Sequence, residues 1–233
     1  MGILNQYRSE LFGIAAILIL IGHGQDFFSC IFPDSIISII GYGGIGVTMF
    51  AFLSGVGLWQ SYERSQDLKR YYKRRFQRVV LPYLLISVVF NLILDVAVKN
   101  DFLMFIKDVS CFSFWMEGRG AWYVAWIIPI YTIYPFYASI THKKSWISVV
   151  VAVLVVTFIA IIGIPVRFQS VAGATIAFLC GDFAGRFIKE NSFKMLYIML
   201  IGILIAPLYM LRIISGQAVY VCFLLWLELG YVL

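Results

Sequence analysis

Charge is what this chain has least of: Asp, Glu, Lys and Arg together make up 13% of its 233 residues, against 62% hydrophobic ones. A soluble globular domain carries about 25% charged residues, so an ordinary water-facing surface is excluded and a polytopic membrane protein is indicated. Histidine is rarer still, with His23 and His142 the only two. The four cysteines, Cys30, Cys111, Cys180 and Cys222, show no CxxC spacing and no histidine cluster beside them, which argues against a metal site. No GxxxxGK[ST] loop is present, so nucleotide hydrolysis falls away, and without a G-x-S-x-G elbow Ser54 reads as a packing serine. The first apolar segment lacks an A-x-A-like cleavage site and more spans follow it, so it reads as a retained helix and not a signal peptide. The net charge of +6 comes with no nucleic-acid motif, and its basic residues cluster between apolar spans as topology signals do.

What remains is long apolar runs. Windows near 11–31, 41–60, 79–98, 121–140, 146–164, 168–185, 195–211 and 217–233 are each long enough to cross a bilayer, which predicts an all-α transmembrane bundle of eight helices. With the N-terminus in the cytoplasm, thirteen of the eighteen Lys and Arg residues fall on the inner side, seven of them between Arg64 and Arg78. The opposite orientation would export most of the positive charge, so the expected location is the cell membrane, multi-pass, with a cytoplasmic N-terminus. Cys30 and Cys111 then both fall outside, where a disulfide is open to them.

His23 stands near the end of the first apolar window, in RSELFGIAAILILIGHGQD. Counted from Leu11 at about 1.5 Å per residue it lies roughly 18 Å along, past the middle of a hydrocarbon core about 30 Å thick. A histidine there faces protein or a water-filled cavity, either as a packing residue bonded to a carbonyl or as an acid–base group. Gly22 and Gly24 clear space beside the ring, and Asp26, three positions on, shares its helical face and is suited to orient the imidazole. His142, beside Lys143 and Lys144, reads as an exposed histidine in a short cytoplasmic turn.

The second window, GYGGIGVTMFAFLSGVGLW, has six glycines (Gly41, Gly43, Gly44, Gly46, Gly55 and Gly57) that offer smooth faces for close helix packing. The 61–78 connection, dense in Lys and Arg, reads either as a topology and anionic-lipid signal or as a cytoplasmic site for a multiply phosphorylated ligand such as coenzyme A. Arg75 and Arg78, three apart on one face of a continuing helix, would present guanidinium forks to phosphate. The 99–120 connection, with Asp101, Asp108, Glu117 and Arg119 beside Phe112, Phe114 and Trp115, reads as an interfacial aromatic belt or as cover for an outward-facing site. Asp182 and Arg186, four apart, read as a structural ion pair.

Three stretches in this order and spacing, ELFGIAAILILIGHG, GGIGVTMFAFLSGVGL and YYKRRFQRVVLPY, resemble the membrane acyltransferase-3 family, with a weaker echo in GAWYVAWIIPIYTIYPF through Trp122, Tyr131 and Pro135. The resemblance covers roughly residues 8–140. It implies an enzyme of about ten membrane helices that moves an acyl group, usually acetyl, from cytoplasmic acyl-CoA to a hydroxyl of an envelope or exported carbohydrate, with no tightly bound cofactor. It further implies that His23 is catalytic and that Arg75 and Arg78 handle acyl-CoA. The arginine that many members place eleven positions before the histidine is replaced here by Phe12, with Arg8 one turn earlier. On this reading residues 1–233 form a single transmembrane acyltransferase domain short of its last helices. A transporter of small solutes or lipid-linked sugars, and an inactive assembly partner in a polysaccharide complex, are the alternatives that composition leaves open.

Overall fold

The computed structural model describes residues 7–28, 30–33, 36–37, 40, 44–143, 147, 150–151, 154–155 and 166–187. Among them every regular element is helical and no strand occurs. The predicted spans at 195–211 and 217–233, most of that at 146–164, Gly41, Gly43 and Cys222 lie outside the described residues. The chain divides into two compact units, Met1–Gln60 with Ser148–Leu233, and Ser61–Ile147.

In the first unit α1 is Arg8–His23, α2 begins at Gly44 of Gly44–Arg64, and α7 is Val166–Phe187. The first apolar window is not one helix: α1 ends where the Gly24 N–H closes on the carbonyls of Leu20 and Ile21, and a separate turn, Gln25–Phe28, follows. Glycines flanking His23 weaken the helix there, each by about 1 kcal/mol relative to alanine.

From Ala51 to Trp59 every residue of α2 is buried, as expected of a helix that is apolar all round and packed on several sides. Its glycines face two partners. A Cβ at Gly46 would overlap the Ala15 carbonyl of α1, and one at Gly57 would overlap the Arg8 guanidinium. On another face, a Cβ at Gly55 would overlap the Phe178 carbonyl of α7, and Gly181 of α7 meets the Phe52 carbonyl in the same way. Gly185 lies against Val56. The order of these contacts makes α1 antiparallel and α7 parallel to α2. Small residues at these positions are what allow the backbones to approach so closely.

The second unit holds the last turn of α2 and α3 to α6. Here the expected 61–78 connection is mostly helix: only Ser65–Asp67 is irregular, and α3 runs unbroken over Leu68–Val98. Asp67 caps it, accepting from the Arg70 N–H at 3.1 Å. Two stretches of α3, Phe76–Val80 and Leu92–Val98, widen to π geometry. The first has a local cause: Pro82 has no N–H to close on the Arg78 carbonyl, so the ladder shifts just before it. The 99–120 connection carries α4 (Phe102–Val109), capped by Asp101, and α5 (Phe112–Glu117), bounded by left-handed Cys111 and Gly118. Phe114 is buried while Phe112 and Trp115 are exposed, and Arg119 bonds Glu117 at 2.6 Å. The Arg119 bond is the main reason the Glu117 carboxyl titrates below its ordinary range. Cys111 donates to the Tyr83 hydroxyl at 3.1 Å, and burial pushes its thiol up. Cys111 is a free thiol, so the Cys30–Cys111 disulfide is not formed.

Helix α6 is Trp122–Lys143. His142 therefore belongs to its last turn and not to a loop, exposed, with Nε2 3.9 Å from Glu63 and its ring beside Tyr62. Helix α3 and the Trp122–His142 stretch of α6 are the two described helices long and apolar enough to cross a membrane. Leu85, Ile86, Val89 and Phe90 of α3 are all exposed, a face suited to lipid and not to water.

Candidate functional site

In the first unit the two ends differ in chemistry. At one end lies Arg8, half-buried, its guanidinium carbon 5.6 Å from the Phe12 ring centroid and its fork in the notch left by Gly57. Phe12 in turn packs edge-on against Phe50 of α2 at 5.0 Å. A positive charge thus occupies the space next to Phe12, reached from one turn earlier because an arginine stem is long enough to snorkel along the helix. At the same end Asp182 and Arg186 of α7 pair at 2.8 Å, with the guanidinium 3.9 Å above Trp59 of α2. Both are buried, and the expected i, i+4 ion pair is present. At the far end of α1 lies His23, exposed, its last residue. Asp26 follows on the Gln25–Phe28 turn, so the Gly24 junction stands between the two where one continuous helix was expected.

In the second unit the basic run lies on the first turns of α3, with Lys69, Arg70, Lys73 and Arg74 exposed. Arg75 is different. It is half-buried, with its guanidinium carbon 5.5 Å from the Tyr71 ring centroid and 5.2 Å from that of Tyr131 in α6. Arg78 is exposed, because the π turn that starts at Phe76 changes the rotation of the helix between the two arginines. The single shared face expected from a three-residue spacing is therefore not kept.

Two residues escaped sequence reasoning. Tyr71 looked like part of a charged connection, although its partner carbonyl was foreseeable from Pro135, which removes the N–H that the Tyr131 carbonyl would otherwise accept. The other is Asp95, 1% exposed near the end of α3, whose signal in the sequence is an ionisable residue within an apolar run. Its Oδ1 accepts from Lys99 at 3.0 Å, while Oδ2 has no hydrogen-bond partner among the described residues.

A family model described as an acyltransferase domain matches residues 13–232, nearly the whole chain. No curated protein and no solved structure matches it. The matched segment holds His23, the Arg75-x-x-Arg78 run and every described helix except the first turn of α1, and the chain belongs to the membrane acyltransferase-3 family.

Proposed function

We propose that the protein transfers an acyl group, acetyl in the simplest case, from cytoplasmic acyl-CoA to a hydroxyl of an envelope or exported carbohydrate. The observation that carries this reading is Arg75, a half-buried guanidinium held against two tyrosine rings within a basic run. Stacking holds the cation by its faces and leaves edge N–H groups for phosphate oxygens. The exposed Lys69, Arg70, Lys73, Arg74 and Arg78 add a positive field that draws a multiply phosphorylated donor. Family membership supports acyl transfer in general.

In this reading His23 removes the proton from the acceptor hydroxyl, because an alcohol is a poor nucleophile until a base with a pKa near the working pH takes it. The oxygen attacks the thioester carbonyl, the carbon–sulfur bond breaks, and the departing thiolate takes up the proton. In a two-step version His23 carries the acyl group itself. Asp26 orients the imidazole, and Arg8 supplies the charge that Phe12 lacks. The protein is multi-pass with a cytoplasmic N-terminus. Thirteen of the eighteen Lys and Arg residues then lie on the inner side, which supports this orientation.

The experiment is acyl transfer to envelope polysaccharide in cells carrying single variants. His23→Ala should lower transfer by about 10²- to 10⁴-fold with membrane insertion intact, and His142→Ala should leave it near normal. Replacing Arg75 and Arg78 together by Ala should weaken acyl-CoA binding by at least about tenfold, given charge-assisted bonds of roughly 1.5 to 3 kcal/mol each. Near-normal transfer by His23→Ala removes the catalytic assignment.

A further inference from the structure

The helix pair α3 and α6 is joined by an arrangement that packing alone does not require. Pro135, inside α6, leaves the Tyr131 carbonyl four residues earlier without its helical N–H. In an apolar span a neighbouring side chain must satisfy such a group. The Tyr71 hydroxyl does so, donating to the Tyr131 carbonyl at 3.0 Å, and the Tyr72 hydroxyl donates to the next carbonyl, Thr132, at 2.9 Å. Two consecutive tyrosines thereby pin the start of α3 to the proline site of α6.

The consequence falls on Arg75, one helical turn after Tyr71 and on the same face. With Tyr71 pinned and buried, its ring and the Tyr131 ring together form the surface on which the guanidinium lies. Aromatic faces attract the cation without using its N–H donors. The Arg75 Nε is buried and has no hydrogen-bond partner among the described residues, and no carboxylate there lies within ion-pair distance of the guanidinium. An arginine kept only for packing would be expected to pair with a carboxylate, as Arg186 does with Asp182.

We propose that Pro135, Tyr71 and Tyr131 are positioning residues that hold the Arg75 guanidinium ready for a phosphate oxygen of the acyl donor, an inference that rests on the donor reading given above. Pro135 exposes the carbonyl, Tyr71 takes it, and the two rings fix the fork before the ligand arrives. Preorganisation of this kind strengthens binding by removing an ordering cost, with no contact between the tyrosines and the ligand.

The test is acetyl-CoA affinity of the purified full chain in lipid nanodiscs. Tyr131→Leu should weaken binding about fivefold, the size expected for losing one partly buried aromatic face, while Tyr131→Phe should bind like the parent. Pro135→Ala restores a helical N–H that competes for the Tyr131 carbonyl. It should weaken binding in the same direction while the protein melts no lower, which separates positioning from loss of fold. In an Arg75→Ala background Tyr131→Leu should add nothing. Equal effects of Tyr131→Leu with and without Arg75, or parent-like affinity in both Tyr131→Leu and Pro135→Ala, would overturn the positioning role alone. Parent-like affinity in Arg75→Ala itself would overturn the donor reading and this inference with it.

Discussion

Replacing Asp182 by Ala tests whether the first unit is locked by its buried ion pair. Both side chains are almost fully enclosed, with 0% exposure for Asp182 and 4% for Arg186, and the pair closes at 2.8 Å beneath α2. Removing the carboxylate leaves the guanidinium buried without its counter-ion, and breaking one partner of such a pair costs about 3–5 kcal/mol. For a chain of this size each kcal/mol moves the midpoint by roughly 2–4 °C, so Asp182→Ala should melt about 6–20 °C below the parent. The double variant Asp182→Leu with Arg186→Met removes both charges and should recover to within about 2 kcal/mol of the parent, because apolar replacement of a whole buried pair is often neutral. Arg186→Lys keeps the charge but gives up the planar stack on Trp59, at 3.9 Å, and should fall between the two. Thermal unfolding in detergent, followed by intrinsic fluorescence, reads all three. An Asp182→Ala midpoint within about 2 °C of the parent, or a double variant as unstable as the single one, would refute the argument.

Gly55→Ala should cost about 1–3 kcal/mol, since its Cβ meets backbone atoms of Phe178 and Asp182 that cannot give way, whereas Gly57→Ala meets only the mobile end of Arg8 and should leave the melting midpoint nearly unchanged while lowering acyl transfer. Maleimide should modify exposed Cys30 faster than Cys111 at neutral pH, because burial raises the Cys111 thiol and keeps it protonated; equal rates would contradict that burial. The folded-state pKa of Glu117 is lowered by Arg119, so its contribution to stability is present above the ordinary carboxylate value of about 4.3 and lost as pH falls through the lower folded one. Melting curves of Glu117→Gln should therefore approach those of the parent at acid pH, and a gap that widens on acidification would reverse the sign. A Gln66→Cys variant, at the exposed joint between α2 and α3, should resist a membrane-impermeant reagent applied to intact cells; strong labelling there would invert the topology.

The sequence alone determined the features whose physics is local. Long apolar runs predict the helices at α3 and α6, the glycines of α2 announce close packing, and a four-residue spacing predicts the Asp182–Arg186 pair. The ordered motifs also identified the family. Tertiary structure decided which partner each of those features meets. Gly57 admits Arg8 while Gly55 admits the backbone of α7, a choice set by which face of α2 each helix covers. Arg75 turns inward and Arg78 outward because a proline four residues beyond Arg78 widens the helix between them, so a rule for ideal α-helices misjudged their common face. The hydroxyls that hold the start of α3 come from residues sixty positions before the carbonyls they satisfy. Periodicity reports what a residue's own helix does. The lost N–H of Pro135 creates a need that the chain meets only by folding a distant segment against it, and that choice is made by packing and hydrogen-bond satisfaction in an apolar medium.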